Sequence, residues 1–562
     1  MRNGSLSLTL LALLSALSGI LLSIPFLSPQ HYGLSWIGFI PLLIAIEKST
    51  GLFRIYYLGA ITGLTFSISV SYWMIDFLML SKGYGIILST VFSVIFWLYC
   101  AQLFGFITLL FEAIKQRINV HEYFLFPLIV VSVFSIYPMI FTAHLGESQS
   151  QFLVAIQAIE FVGVYGLDAI IALTNIVIFR LVLPYLLAEH SPTHQKRYSQ
   201  NKWPLGIALL LLISWFYYGW SSNLAWESKI QQWNTVRIGL VQPNETPSLK
   251  KQTLYSGYSR SLPPEMAMTQ RLASIGAEIV IWPEAKYKAY LDQPQIAEAY
   301  RYQINALNTR LIFQDIEQTQ NALNPLVKQQ YNTAVMLSEQ GEMIGHYQKM
   351  KRIAFGEYVP FASDIPVLKR WVEGFFGSFL NEMEKGESHQ VFSSELTNNA
   401  VKNNAFNIVP LICYETIFPE FVAEAVASAL RKVPNTDLLV ALSSDGWFGS
   451  THQPYQHTNA SILRAVENRL PLVHVLNNGP SIVAMPNGTI IFKTKANQAG
   501  GYIIDVPYEK DSQGSFFSHY PHLFIYSVYG LILFIGLCCC LKVRKKTNQS
   551  TALISARNEP LD

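Results

Sequence analysis

The sequence has 562 residues, of which 51% are hydrophobic and only 14% charged, against about 45–50% apolar and about 25% charged in ordinary soluble domains. So little charge excludes a disordered chain and a nucleic-acid-binding protein and points to lipid. Of the 40 Lys/Arg and 37 Asp/Glu, residues 1–221 hold only 10 and 8, so an apolar first part precedes a soluble second part. The net charge of +3 says little about partners, because the basic excess is concentrated in particular loops and at one terminus.

Apolar runs near 5–27, 33–47, 55–80, 84–113, 123–141, 157–187 and 205–221, and again at 523–541, approach or exceed the roughly 20 residues that cross a bilayer as a helix. The first follows Arg2 like a signal peptide, but its apolar core exceeds the ~7–15 residues of such a segment and reads as a retained anchor. Alternate connections carry Lys48 and Arg54, then Lys115 and Arg117, then Lys196, Arg197 and Lys202, while the tail carries Lys542, Arg544, Lys545 and Lys546. The intervening short loops hold only Lys82. By the positive-inside rule both termini are cytoplasmic and residues 222–522 lie on the opposite side. The expected organisation is a seven-span domain over 1–221, an exported domain over 222–522, an eighth span at 523–541 and a cytoplasmic basic tail at 542–562.

Cys413 is then the lone thiol of the exported domain, with no partner for an intramolecular disulfide; it is either a buried bystander or a reactive group. Cys538, Cys539 and Cys540 end the last span as small apolar filler or as acylation sites. Asp76, Glu160 and Arg180 stand inside apolar runs, where ionisable groups mark either function or a reach to the headgroup layer.

From about residue 235 the pattern changes. Short apolar strands are expected at 235–242, 277–285, 310–315, 406–413, 436–444 and 471–477, hairpins at 332–349 and around Asn487-Gly488, and helices ending near Gly276 and spanning 456–469. Strand, helix, strand repetition predicts an α/β layered domain. Glu284, Lys349 and Cys413 each end a strand, where sites assemble in α/β sheets. A thiol attacks as thiolate and needs a proton acceptor in a positive environment. Glu284 suits the first need and Lys349 the second; His346, His452, His457 and His474 are alternative partners that spacing does not separate.

Around these residues the sequence resembles the nitrilase superfamily. I-W-P-E-A at Glu284, Y-Q-K-M-K-R-I-A-F-G-E-Y-V-P from Tyr347 to Pro360 and I-C-Y-E from Ile412 to Glu415 are similar to its Glu, Lys and Cys motifs. The long F-G-E-Y-V-P element, V-Q-P-N, Y-N-T-A, S-D-G-W-F-G, R-A-V-E-N and the G-V-Y-G-L of the sixth run are similar to its membrane-bound branch, the apolipoprotein N-acyltransferases. Ser444, Leu470 and Lys251 stand where that family commonly has Asn, Arg and Trp. The resemblance implies an α-helical membrane bundle of eight transmembrane helices carrying an exported α/β nitrilase-like domain, an α-β-β-α sandwich, in a bacterial inner membrane.

It further implies a phospholipid acyl donor, a diacylglyceryl-modified apolipoprotein acceptor and no cofactor or metal. Glu284 acts as base, Cys413 as nucleophile, and Lys349 as oxyanion holder with the N–H of Tyr414. Glu357 orients Lys349 or acts on the leaving group, and Glu415 assists or caps a helix beginning near 416. Asn332, Tyr414, Trp447 and Phe448 are expected to shape the acyl pocket. Trp371, Phe375 and Phe376, in the aromatic segment 365–380, form either an interfacial lid or a packed helix. The competing readings are a membrane-anchored amidohydrolase with water as acceptor and a transporter with Asp76, Glu160 and Arg180 along its path.

Overall fold

The computed structural model describes residues 7–186, 202–246, 256–284, 287–320, 328–354, 356–358, 367, 370, 383–396 and 405–557, with the backbone alone at 183–186, 328 and 542–557. The apolar part folds as α1 (Leu8–Leu27), α2 (Ile40–Glu47), α3 (Leu52–Val70), α4 (Met74–Lys82), α5 (Ile86–Lys115), α6 (Glu122–Ile136), α7 (Leu153–Ile156), α8 (Ile159–Leu186) and α9 (Trp203–Ile230). Six helices among the described residues, α1, α3, α5, α8, α9 and the later α15 (Leu523–Arg557), are long and apolar enough to cross a membrane.

Two expected spans are not single helices. The second is a 3-10 segment, Pro29–Trp36, followed by α2 of 8 residues. Its buried end at Ser35–Phe39 is held by side chains: Asn175 Oδ1 accepts from Phe39 N at 2.8 Å and Asn175 Nδ2 donates to the Ser35 carbonyl at 2.9 Å, while Gln149 Nε2 donates to the Tyr32 carbonyl at 3.2 Å. Non-helical backbone at membrane depth requires such partners. The third run breaks between Val70 and Met74 because the break is spent on contacts with the soluble domain. Gln456 Nε2 donates to the Val70 carbonyl at 2.9 Å, Trp73 Nε1 donates to Gln456 Oε1 at 3.1 Å, and the Tyr72 hydroxyl meets His452 Nδ1 at 2.6 Å. The helix of the seventh run, α9, overshoots the expected boundary at 221 and ends at Ile230.

The remaining chain builds β1 (Asn234–Gln242), α10 (Pro264–Ser274), β2 (Ile279–Ile281), α11 (Pro294–Leu307), β3 (Arg310–Gln320), β4 (Lys328–Leu337), β5 (Met343–Gln348), β6 (Phe392–Glu395), β7 (Ala405–Ile412), α12 (Pro419–Leu430), β8 (Leu438–Ser443), α13 (Gln453–Asn468), β9 (Leu472–Leu476), β10 (Ile482–Ala484), β11 (Ile490–Lys493), β12 (Gly500–Tyr508) and α14 (Phe516–His519), before α15. One sheet has the order β12-β1-β2-β3-β4-β5 and the other β11-β10-β9-β8-β7-β6. In each, three central strands, β1-β2-β3 and β7-β8-β9, run parallel.

Alternation along the strands dictates the layers. Val236, Ile238 and Leu240 of β1 and Ile408 and Ile412 of β7 point into a shared core between the sheets, with Leu438, Val440 and Leu442 of β8. The opposite faces, such as Leu311 and Phe313 of β3 and Leu439 and Ala441 of β8, pack against α10 and α11 or against α12 and α13. The result is the expected α-β-β-α sandwich. The C-terminal ends of β2, β5 and β7 lead directly into Glu284, Lys349 and Cys413.

Two of the quoted sequence motifs meet where the two parts of the chain join. In the run 163–167, Gly163 adopts φ +64 and kinks α8. The kink frees the Val164 N–H, which donates to Glu467 Oε1 at 2.8 Å, while Tyr165 donates to Glu420. Glu467 is held in turn by Arg464 at 2.7 Å, so R-A-V-E-N is a docking element. Arg469 completes the join by pairing with Glu160 at 2.6 Å and donating to Gln157. A Cβ at Gly163 would lie 2.6 Å from the ring of Phe517 in a conformation that disfavours side chains. Gly163→Ala therefore lowers the apparent melting temperature in detergent by a few degrees, whereas Gly530→Ala, which meets nothing within 4 Å, does not; equal melting of the two variants would contradict this reading of the join.

Candidate active site

Three loops converge at one end of the sandwich. Hairpin pairing of β4 with β5 sets Asn332 opposite the end of β5, where Lys349 N donates to the Asn332 carbonyl at 2.8 Å. Lys349 is 1% exposed, and its Nζ donates to Glu357 Oε1 at 2.8 Å. Glu357 is held by Ile353 N, which donates to Oε2 at 2.9 Å. Asn332 Nδ2 donates to Glu284 Oε1 at 2.7 Å and reaches Glu357 Oε1 at 3.4 Å. The Cys413 side chain faces Glu284 as a hydrogen-bond partner. Glu284, Lys349 and Cys413 are thus brought together, with Glu357 as the anchor of the lysine and Asn332 as the link between carboxylates rather than as a pocket wall.

Cys413 has φ +50, a region that a side-chain-bearing residue occupies at a cost of about 1–3 kcal/mol. The strand-to-turn junction is over-determined by Glu415, which is fully buried. Its Oε2 accepts from Ile412 N at 2.8 Å, and its Oε1 accepts from Met350 N at 2.7 Å, Lys351 N at 3.1 Å and the Tyr347 hydroxyl at 2.8 Å. Glu415 therefore ties the lysine loop to the cysteine turn, and α12 starts at Pro419, beyond the expected cap position. Burial pushes Glu415 up to about 6 against these donors.

The charges explain how the thiol can work. Burial, with Glu284 beside it, holds the Cys413 thiol well above its usual pKa, opposed by Lys349. Burial raises Glu284 as well, with Lys349 lowering it and Glu357 adding to the rise. Burial opposes the charge on Lys349, yet Glu357, Cys413 and Glu284 together keep its pKa above the ordinary ammonium value. A free thiolate does not accumulate in such a site. Passing the proton from sulfur to Glu284 leaves the buried cluster with the same net charge and moves the negative charge within reach of the same ammonium, so the transfer accompanies attack on an electrophile.

On the side facing the apolar half, Tyr414 donates to the Ile140 carbonyl and its ring meets Phe141 at 5.9 Å and Phe418 at 4.9 Å. Phe448 stacks on Phe77 of α4 at 4.9 Å and meets Trp73 edge-on at 5.1 Å. Trp447 packs against the same cluster. Asp76 approaches Gly449 there, 3.9 Å from the position of a Cβ, while Arg180 is paired elsewhere with Glu47 at 3.1 Å and with Glu122. Trp371, Phe375, Phe376 and Lys251 lie outside the described residues. Of the four histidines, His346 pairs with Glu317 at 3.0 Å, and His452 contacts Tyr72. His474 lies between Ser443 and Ser461. Only His457 approaches Cys413, on its backbone side. Among the described residues no group of three or more His, Cys, Asp or Glu is arranged to hold a metal ion.

The comparisons with known proteins agree on both parts of the chain. Residues 18–177 match the family described as apolipoprotein N-acyltransferase N-terminal domain, and residues 238–510 match the carbon-nitrogen hydrolase family. The chain thus joins a domain of the apolipoprotein N-acyltransferase type to one of the carbon-nitrogen hydrolase type. An apolipoprotein N-acyltransferase from Geobacter metallireducens is 29% identical over 85% of this chain and 86% of its own. Another from Rickettsia bellii is 26% identical over 95% of this chain and 98% of its own. A solved amidase of the nitrilase superfamily from Nesterenkonia overlaps 49% of this chain and 92% of its own, at 18% identity and a TM-score of 0.34. Of the departures from the family pattern, Leu470 is buried in the layer between the second sheet and its helices, and Ser444 Oγ accepts from Asn477 Nδ2 at 3.3 Å.

The raised pKa of Glu284 has a kinetic consequence. As a base it must be ionised, and a raised pKa means that it becomes protonated while the pH is still above the ordinary carboxylate value of 4.5. Alkylation of Cys413 by iodoacetamide, followed by mass spectrometry of its peptide, is expected to fall as pH drops through a midpoint above 4.5 and to lose that limb in Glu284→Gln. A limb that persists in the variant would assign the base elsewhere.

Proposed function

We propose that this chain is a membrane-bound N-acyltransferase that moves an acyl chain from a phospholipid, through a thioester on Cys413, to the α-amino group of the lipidated N-terminal cysteine of apolipoproteins. The observation that carries the reading is the buried Glu284–Lys349–Cys413 cluster lying directly against the aromatic bridge to the apolar half. Tyr414, the residue after the nucleophile, packs on Phe141 and donates to the Ile140 carbonyl, so the cluster adjoins the apolar half, where both lipid substrates would reside.

In the first half-reaction Glu284 takes the Cys413 proton as sulfur attacks the ester carbonyl. Lys349, with the N–H of Tyr414, stabilises the oxyanion, and collapse expels a lysophospholipid whose oxygen takes the proton from Glu284. In the second, the acceptor amine attacks the thioester, Glu284 removes its proton, and the amide forms as the Cys413 thiol is restored. An α-amino group has a pKa of only about 7.7–8.0, so a neutral fraction is present near neutral pH. A thioester resists water when the site is dry yet reacts with amines, and the apolar contacts of Tyr414, Trp447 and Phe448 favour dryness.

The domain over 222–522 is placed outside the cytoplasmic membrane, with both termini cytoplasmic. The support is the Lys/Arg asymmetry of the loops. Eight crossings result if the six long helices are joined by the Pro29–Glu47 segment and by α6.

Protein loaded with labelled-acyl phospholipid, freed of donor and then given a diacylglyceryl-cysteine peptide is expected to pass label to the peptide amine, and none to the same peptide with its amine acetylated. Release of label as free acid whichever peptide is present would instead support the amidohydrolase-like use of water.

A further inference from the structure

His457 lies behind the nucleophile, not in front of it. Its Nδ1 meets the Asp445 carboxylate at 2.8 and 3.1 Å, and its Nε2 meets Thr416 Oγ1 at 2.8 Å. Thr416 Oγ1 in turn donates to the Cys413 carbonyl at 3.3 Å. A hydroxyl has one proton, so a threonine that donates to the carbonyl must accept from the ring, and Nε2 carries hydrogen. Nδ1 faces a carboxylate and carries hydrogen as well. The ring is therefore an imidazolium, fully enclosed and paired with Asp445, and it also bonds the Cys413 backbone.

The other groups around it fit that state. His474 of β9 stands edge-on at 4.8 Å between ring centroids, with its two nitrogens taken up by Ser443 Oγ at 2.6 Å and Ser461 Oγ at 3.0 Å. Burial and the neighbouring His457 hold its pKa well below the ordinary value, so it is neutral. Glu284 also acts on His457, from the front of the site, and favours its charge. Burial opposes the His457 charge, but Asp445, the Cys413 backbone and Glu284 together more than offset it.

The geometry points to Asp445, His457 and Thr416 as a positioning relay that holds the Cys413 backbone in its left-handed conformation by charge-assisted hydrogen bonding to its carbonyl. It rests on the reading of Cys413 as the nucleophile. None of the three touches sulfur. They act by fixing where the sulfur points, and a misplacement on the order of 1 Å costs about 100-fold in rate. Asp445 is the second residue of the S-D-G-W-F-G motif and His457 lies on α13, so two segments distant from the cysteine in sequence support one strained residue.

The test uses the full chain in detergent, with Cys413 alkylation by iodoacetamide read on its own peptide and acyl transfer measured beside it. Thr416→Val is expected to slow both about tenfold or more with KM for phospholipid unchanged, and Thr416→Ser to restore most of the rate. In the wild type Asp445 helps to hold the His457 pKa above the ordinary imidazole value. In Asp445→Asn the ring loses its counter-ion and burial lowers its pKa below the ordinary imidazole value of about 6.5, so the ratio of variant to wild-type alkylation rate falls as pH rises through that lower ionisation. Thr416→Val reacting as wild type, or an Asp445→Asn defect independent of pH, would overturn the relay; should Asp445→Asn fail to fold, the Thr416 pair decides. Alkylation that follows these expectations in a protein that takes no acyl group from phospholipid would sink the transferase reading and leave the relay standing.

Discussion

One buried carboxylate holds the site together. Glu415 has no exposed surface, and an unpaired charge so placed would cost several kcal/mol. It is tolerated because donors from two different sheets converge on it: Ile412 N from β7, and Met350 N, Lys351 N and the Tyr347 hydroxyl from the loop and strand of β5. Satisfying that charge forces the end of β5 against the end of β7. Lys349 and Cys413 are the residues carried along. The requirement to pair one carboxylate thus becomes the geometry of the proposed catalytic pair.

The same logic governs the reacting groups. Glu284, Glu357, Lys349 and Cys413 share a dry space in which separated charges are expensive, so the lysine is fixed by Glu357 and the proton moves only between partners that already face one another. Dryness has its own structural source. Tyr414, Phe448 and Trp447 are packed with Trp73, Phe77 and Phe141 from the apolar half, so the wall of the site and the join between the two parts of the chain are one aromatic cluster. The low charge of the first part acquires a specific role in this light: it supplies the apolar partner that shields a thiol from water.

Much of this was legible in the sequence because the strands are short, apolar and alternate cleanly, and each reactive residue ends one. The layered fold, the hairpin before Lys349 and the turn at Asn487-Gly488 follow from local pattern alone. What was not legible depends on distant partners. β12 pairs with β1 along its whole length, yet its half-exposed residues and Pro507 give no buried-strand pattern. The interruption at Ser71–Trp73 lies within an apolar run and is visible only once Gln456 and His452 are seen to occupy it. Glu415 read equally as a helix cap, since the donors that define it come from residues more than sixty positions away. His457 was one of four equivalent histidines until Asp445 and Thr416 were found on either side of its ring. Asn332 gave no sign in Y-N-T-A that it would bridge two carboxylates.

The central claim is that acyl transfer passes through sulfur at Cys413. Intact-protein and peptide mass spectrometry after incubation with phospholipid, in the absence of any acceptor, tests it most directly. The account predicts one acyl group on the Cys413 peptide, removed by neutral hydroxylamine and absent in Glu284→Gln. An acyl group found instead on Cys538, Cys539 or Cys540, or acyl transfer that proceeds at the wild-type rate in Cys413→Ala, would contradict it.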